Sequence, residues 1–147
     1  MATIRAAAPD DRARVERIVQ AAYAPWVEVI GARPLPMDAD YAALIDAGNV
    51  FVTGEGPDGL IVLVPEDGVL LVENVAVAPD RHGRGIGRSL LAFAEDHARN
   101  LGLPALRLYT NELMTRNIAL YESLGYLPGG REDIGGRHVV HLAKTLD

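Results

Sequence analysis

Three apolar runs, Val50 to Thr53, Leu60 to Val64 and Val69 to Val77, follow one another with only short glycine-bearing turns between them. The turns, Gly54-Glu55-Gly56-Pro57-Asp58-Gly59 and Pro65-Glu66-Asp67-Gly68, have no room for a crossover helix. The runs must therefore pair as antiparallel hairpins. Around this block the pattern changes to helical spacing. Before it, Val15, Ile18, Val19, Ala22 and Tyr23 recur at helical intervals after Pro9-Asp10-Asp11, which supplies turn and N-cap chemistry, in a helix that passes through Ala24-Pro25-Trp26 and ends near Gly31. The prolines in Arg33-Pro34-Leu35-Pro36-Met37 break the pattern, and Asp38 is the expected cap of a short helix from Ala39 to Ala47, stopped by Gly48.

After the block comes a helix with Ile86, Leu90, Leu91, Ala94, Ala98 and Leu101 on one side, ended by Gly102. Ala105 to Thr110 reads as a buried strand and Thr115 to Leu124 as a helix stopped by Gly125. Tyr126 to Ile134 and Arg137 to Lys144 read as a closing hairpin turned at Gly135-Gly136. With a short strand at Thr3 to Ala6, the expected order is β-α-α-β-β-β-α-β-α-β-β, an α+β domain with helices covering a mostly antiparallel sheet. The 147 residues suit one domain over 1–147.

The chemistry is concentrated between the last strand of the block and the long helix, in Val75-Ala76-Val77-Ala78-Pro79-Asp80-Arg81-His82-Gly83-Arg84-Gly85-Ile86-Gly87-Arg88-Ser89. A helix start exposes unpaired backbone N–H groups, and glycines let a phosphate approach them closely. Arg81, Arg84 and Arg88 add charge, so residues 79–88 carry three Arg against one Asp within a chain of net charge −6. That acidic balance argues against a general nucleic-acid or membrane-surface binder and leaves room for a focal site for one small polyanion. A P-loop would need Gly-Lys-Ser/Thr, and here the ending is Gly87-Arg88-Ser89. A dinucleotide fingerprint would need G-x-G-x-x-G in a parallel unit and an acid about 20 residues on, where Arg107 stands. Neither reading holds.

The segment resembles the GNAT acetyltransferase superfamily, whose central motif is a strand ending in Val-x-Pro and then Arg/Gln-x-x-Gly-x-Gly/Ala opening a long helix. Here these read Val77-Ala78-Pro79 and His82-Gly83-Arg84-Gly85-Ile86-Gly87, with His82 in place of the usual Arg or Gln. A second stretch, Asn117-Ile118-Ala119-Leu120-Tyr121-Glu122-Ser123-Leu124-Gly125-Tyr126, is similar to the family's Leu-Tyr-x-x-x-Gly-Phe. The resemblance covers the chain in element order and implies a GNAT-like fold, a mixed, mostly antiparallel sheet of six to seven strands with helices on both faces. It implies acetyl-CoA as co-substrate, bound by Val75, Ala76 and Val77, by His82 through Ser89, and by Asn117 and Tyr121. The family's Asn seven residues before the tyrosine is Met114 here, which leaves Asn117 and Asn111 as alternative amide donors.

By the same resemblance the reaction is direct transfer of an acetyl group to a primary amine. A carboxylate must take the amine's proton, and Glu73, a charge inside an apolar strand, is the candidate. A solvated or arginine-paired Glu73 at a strand end is the competing reading. Backbone N–H groups at Val75 to Val77 would hold the oxyanion, and Tyr121 would protonate the departing thiolate. Tyr23, Trp26, Tyr109 and Asn111 are the expected acceptor pocket, with Met37, Tyr41 and Glu112 near it; a small-molecule amine is favoured over a protein tail.

The alternative is a non-catalytic CoA or acyl-CoA sensor or interaction module, which would have no need of Glu73 or Tyr121. With no Cys, disulfides, thiolate zinc sites and an acetyl-cysteine relay are excluded. His138 and His141 fall on opposite faces of a strand and His97 on the polar side of its helix, so no metal site is expected. No apolar stretch suits a signal peptide or a membrane span, which makes the cytoplasmic compartment the expectation. The closing hairpin is an edge through which a homodimer could form.

Overall fold

The computed structural model describes residues 3–147. Its elements follow the expected order: β1 Ile4–Ala6, α1 Arg12–Ile30, α2 Tyr41–Asp46, β2 Val50–Thr53, β3 Gly59–Glu66, β4 Val69–Val77, α3 Ile86–Asn100, β5 Ala105–Asn111, α4 Thr115–Ser123, β6 Leu127–Ile134 and β7 Arg137–Thr145. The seven strands form one sheet in the order β1-β2-β3-β4-β5-β7-β6. All neighbours are antiparallel except β4 and β5, which α3 connects in parallel.

Both faces of the central strands are buried, and their side chains divide by parity. On β3, Leu60 and Val62 join Val15, Ile18, Val19 and Tyr23 of α1 and Ile45 of α2 in one apolar cluster. Ile61 and Leu63 join Leu90, Leu91 and Ala94 of α3 in the other. The start of α3 lies directly on β3: a Cβ added to Gly59 would stand 2.9 Å from Ile86 Cγ2 and 3.1 Å from the Ala76 carbonyl oxygen. Only glycine permits that approach, so Gly59 fixes where the helix begins.

Three local expectations are corrected. The cap of α2 is Asp40, whose side chain accepts from Ala43 N, while Asp38 ends a 3₁₀ turn and pairs with Arg33 at 3.0 Å. Asp11 stands at the N-cap position of α1 but its side chain does not cap the helix; its carboxylate accepts from Ala8 N and forks onto Arg5 at 2.8 and 3.0 Å. His97 is not simply solvated. It packs at 5.0 Å from the Phe51 ring and 5.8 Å from Phe93, and the burial pushes its pKa down. No described helix is long and apolar enough to cross a membrane.

Candidate active site

Strand β4 is paired on both sides for only part of its length. Leu70, Leu71 and Val72 face Leu106, Arg107 and Leu108 of β5, and past Val72 the two strands share no further pairs. On its other side the register with β3 slips at the same place: Val62 faces Asn74 while Leu63 faces Val72, which leaves Glu73 as an extra residue. A bulge of this kind bends a strand and sharpens its twist, here turning β4 away from β5. The gap opens into a cleft of about 800 Å³, including the part open to solvent, lined by Glu73, Asn74 and Val75 of β4, Tyr109 and Asn111 of β5, and Asn117 and Tyr121 of α4.

A buried polar chain forms one wall. Tyr23 Oη donates to Asn74 Oδ1 at 2.5 Å, Asn74 Nδ2 donates to Tyr41 Oη at 2.9 Å, and Tyr41 Oη donates to the Pro36 carbonyl at 2.6 Å. This chain ties α1, α2 and the proline bend to β4, and Asn74 is satisfied through both ends of its amide. Burial pushes the Tyr23 and Tyr41 phenols well up, so both stay protonated. Tyr23 Oη also lies 3.3 Å from the Val75 carbonyl oxygen, and a ring nitrogen of His82 lies 3.3 Å from that of Val77. These carbonyls point away from β3. In an antiparallel pair a residue turns its N–H and C=O the same way, so Val75 and Val77 also present N–H groups to the unpaired edge.

Glu73 is half-buried on the bulge. Burial raises its pKa, with the Glu66 charge adding to the effect, and no arginine pairs with it among the described residues. The same charge helps burial raise the neighbouring Tyr109 phenol. Tyr121 is buried, one helical turn after Asn117 on α4, and its hydroxyl has no hydrogen-bond partner among the described residues. Its pKa is pushed up by burial alone. Tyr126 stacks edge-on against it at 6.0 Å, deeper in the core.

The glycine segment follows the open end of β4. Gly83 and Gly85 hold φ of 81° and 76°, in the left-handed region that other residues avoid. Gly85 is the N-cap of α3 and supplies no side chain to it; the N–H groups of Ile86, Gly87 and Arg88 find no acceptor among the described residues. No acidic residue stands in the first turn. Arg84 and Arg88 make no ion pair among the described residues, whereas Arg81 approaches Asp58 at 3.6 Å. Ser89 is exposed on the same turn, and a Cβ at Gly87 would touch only Val77 Cγ2, at 3.9 Å. Free donors, unpaired guanidinium groups and open space suit a pyrophosphate.

Of the residues singled out from sequence, Tyr23, Tyr41, Glu73, Val75, Tyr109, Asn111, Asn117 and Tyr121 line the cleft. Trp26 does not: it is half-buried against the core between α1 and the sheet, and Met37 is buried in that same core. Glu112 is held outside, by Arg131 at 2.9 Å. Ala76 belongs to the core under α1, and Val77 packs on the opposite cluster, so only their backbones are available to a ligand. Asn74 and Arg137 line the cleft and were not foreseen. Asn74 breaks the apolar run beside Glu73, a signal that was present; Arg137 had none.

Residues 15–126 match the Acetyltransferase (GNAT) family. The mycothiol acetyltransferase of Thermobispora bispora is 39% identical over 78 residues, 53% of this chain and 24% of that protein. The IAA acetyltransferase of Azospirillum brasilense is 40% identical over 72 residues, 49% of this chain and 47% of that protein. The matched stretches thus span less than half the length of these relatives. Among solved structures, the IAA acetyltransferase from Bacillus cereus superposes with a TM-score of 0.75 at 21% identity, covering 99% of this chain and 100% of its own. The ribosomal-protein-S18-alanine N-acetyltransferase from Escherichia coli gives a TM-score of 0.75 at 23% identity, with 100% and 95% covered. Those two likenesses establish a common fold. On the strength of the family match across three quarters of its length, the chain belongs to the GNAT acetyltransferase family.

Proposed function

We propose that this chain is an acetyl-CoA-dependent N-acetyltransferase acting on a primary amine of a small molecule. The observation that carries the reading is the bulged, unpaired half of β4, where the partly desolvated Glu73 carboxylate shares one cleft with the Tyr121 phenol of α4, next to a glycine loop that leads into unpaired N–H groups at the start of α3. In this reading His82 to Ser89 take the coenzyme's pyrophosphate, and Asn117 contacts its pantetheine arm, which runs along the open edge of β4. Arg84 and Arg88 supply the charge and the start of α3 the N–H groups.

The amine must be neutral to attack the thioester carbonyl, and Glu73 takes its proton, directly or through one water. Burial makes Glu73 a stronger base than a solvated carboxylate. As the N–C bond forms, negative charge develops on the carbonyl oxygen, within reach of the N–H groups on the edge at Val75 and Val77. The C–S bond then breaks, its electron pair stays on sulfur, and Tyr121 gives up its hydroxyl proton, later recovered from solvent. Burial raises the Tyr121 phenol above the ordinary value for tyrosine. The thiolate leaves into the same enclosed wall, where desolvation raises its own proton affinity.

Relatives named for mycothiol, for IAA and for an S18 alanine differ in acceptor. A small molecule is favoured in this reading, because the Pro34 to Pro36 bend and Arg137 join the lining of the cleft. Calorimetric titration of the pure protein with acetyl-CoA tests the reading: one site is expected, and no binding would end it. Thiol release on adding amines separates the enzyme from a non-catalytic acyl-CoA sensor. In Tyr121→Phe turnover should fall about 100-fold with coenzyme affinity unchanged; unchanged turnover would remove Tyr121 from the chemistry.

A further inference from the structure

Among the residues that line the cleft, only Glu73 and Arg137 carry full charge; the rest are tyrosines, asparagines, a threonine and apolar side chains. Glu73 stands on the β4 bulge, at the reaction centre proposed above. Arg137 opens β7 beyond the point where Asn111, the last residue of β5, pairs with Val139. Its Nε donates to the Arg33 carbonyl at 2.8 Å, which holds the side chain against the connection between α1 and α2. Its Nη1 lies close over Gly135, where a Cβ would stand 3.2 Å away.

Arg137 is anchored yet lacks a counter-charge. No carboxylate pairs with it among the described residues, and the acid of the neighbouring bend, Asp38, is committed to Arg33 at 3.0 Å. Arg5 and Arg107, by contrast, are each forked onto a carboxylate. One of Arg137's five N–H groups is used, so the fork formed by its terminal nitrogens is presented without an acceptor. A guanidinium held this way on a partly enclosed wall matches a carboxylate in charge and in planar geometry. In the same cleft Pro34, Leu35, Ala39, Leu44 and Val139 offer apolar surface.

We propose that the acceptor is a small amine that also carries a carboxylate, seated with its nitrogen at Glu73, its carboxylate on the Arg137 fork and its apolar body between them. This rests on the N-acetyltransferase reading of the cleft. The test is thiol release at saturating acetyl-CoA with matched acceptors: leucine, leucinamide and isopentylamine; phenylalanine, phenylalaninamide and phenethylamine; 4-aminobutyrate, 4-aminobutyramide and propylamine. At least one free acid is expected to show a KM about 10- to 100-fold below its amide and its decarboxylated partner. The set also indicates how far the carboxylate lies from the amine. Arg137→Gln should raise the KM of that acid by the same factor, with acetyl-CoA affinity by calorimetry retained as the sign of an intact fold, and Arg137→Lys should recover part of the loss.

Equal turnover of acids, amides and plain amines would overturn the proposal and leave the transferase reading standing. So would a preference that survives Arg137→Gln. If no amine releases thiol, the proposal falls in any case; retained acetyl-CoA binding then shifts the chain toward the sensor reading, and lost binding ends the coenzyme assignment as well.

Discussion

The two halves of β4 are built from similar residues and do opposite things. Leu70, Leu71 and Val72 are hydrogen-bonded into the sheet on both sides, and none is more than 7% exposed. Asn74 to Val77 keep β3 as a neighbour and lose β5, so every second backbone group faces a cleft. One inserted residue, Glu73, separates the two regimes. An unpaired strand edge inside a protein is a liability unless something satisfies it. Here Tyr23 and His82 reach individual carbonyls, and under the proposed function the coenzyme satisfies the remaining groups. The same strand thus holds the sheet together at one end and lines a cleft at the other.

The sharpest way to break that division is to damage the closed half and look for an effect in the open one. Leu70, fully buried against α3, should lose about 2–5 kcal/mol of stability as Leu70→Ala. Thiol release per folded molecule should be unchanged; a matching drop in activity would mean the halves are not separable. Asn74→Ala strikes the wall of the open half. It strands a hydroxyl partner at Tyr41 and should cost about 1–3 kcal/mol in urea unfolding. It should also raise the acceptor's KM while acetyl-CoA affinity holds, and a stability loss with KM unchanged would make Asn74 purely structural. The smallest effect belongs to Tyr126, whose hydroxyl is buried without a partner among the described residues. Tyr126→Phe should gain about 1 kcal/mol, and a loss of that size would reveal a partner for the hydroxyl.

Much of this division was legible in the residues, up to a definite limit. Hairpin turns, helix stops at Gly31, Gly48 and Gly102, and the parity of β3 are local features, so element order and sheet layers could be read directly. The charge of Glu73 inside an apolar run marked a residue that lines the cleft. That it is a bulge could not be read, because a bulge is a mismatch between two strands and belongs to neither alone. Trp26 misled for a related reason: closeness to a proline bend suggested a cleft, whereas α1 continues through Pro25 and turns that side chain onto the core. His97 and Arg137 depend on partners 46 and 104 residues away, Phe51 and Arg33, and no spacing rule reaches that far.

The claim that the bulge exists to put a working carboxylate in the cleft is tested most directly by the pH dependence of kcat/KM for thiol release, in the native protein and in Glu73→Gln. Glu73 accepts a proton only when ionised, so protonating it at low pH abolishes that role. Because burial raises its pKa, the acid limb it contributes should lie above the ordinary carboxylate value of 4.5. The acceptor amine's own titration appears in both profiles, so their difference isolates Glu73. The account predicts a kcat/KM lower by about 10²- to 10⁴-fold in Glu73→Gln, with that limb gone. A variant with the native rate and the native limb would contradict it.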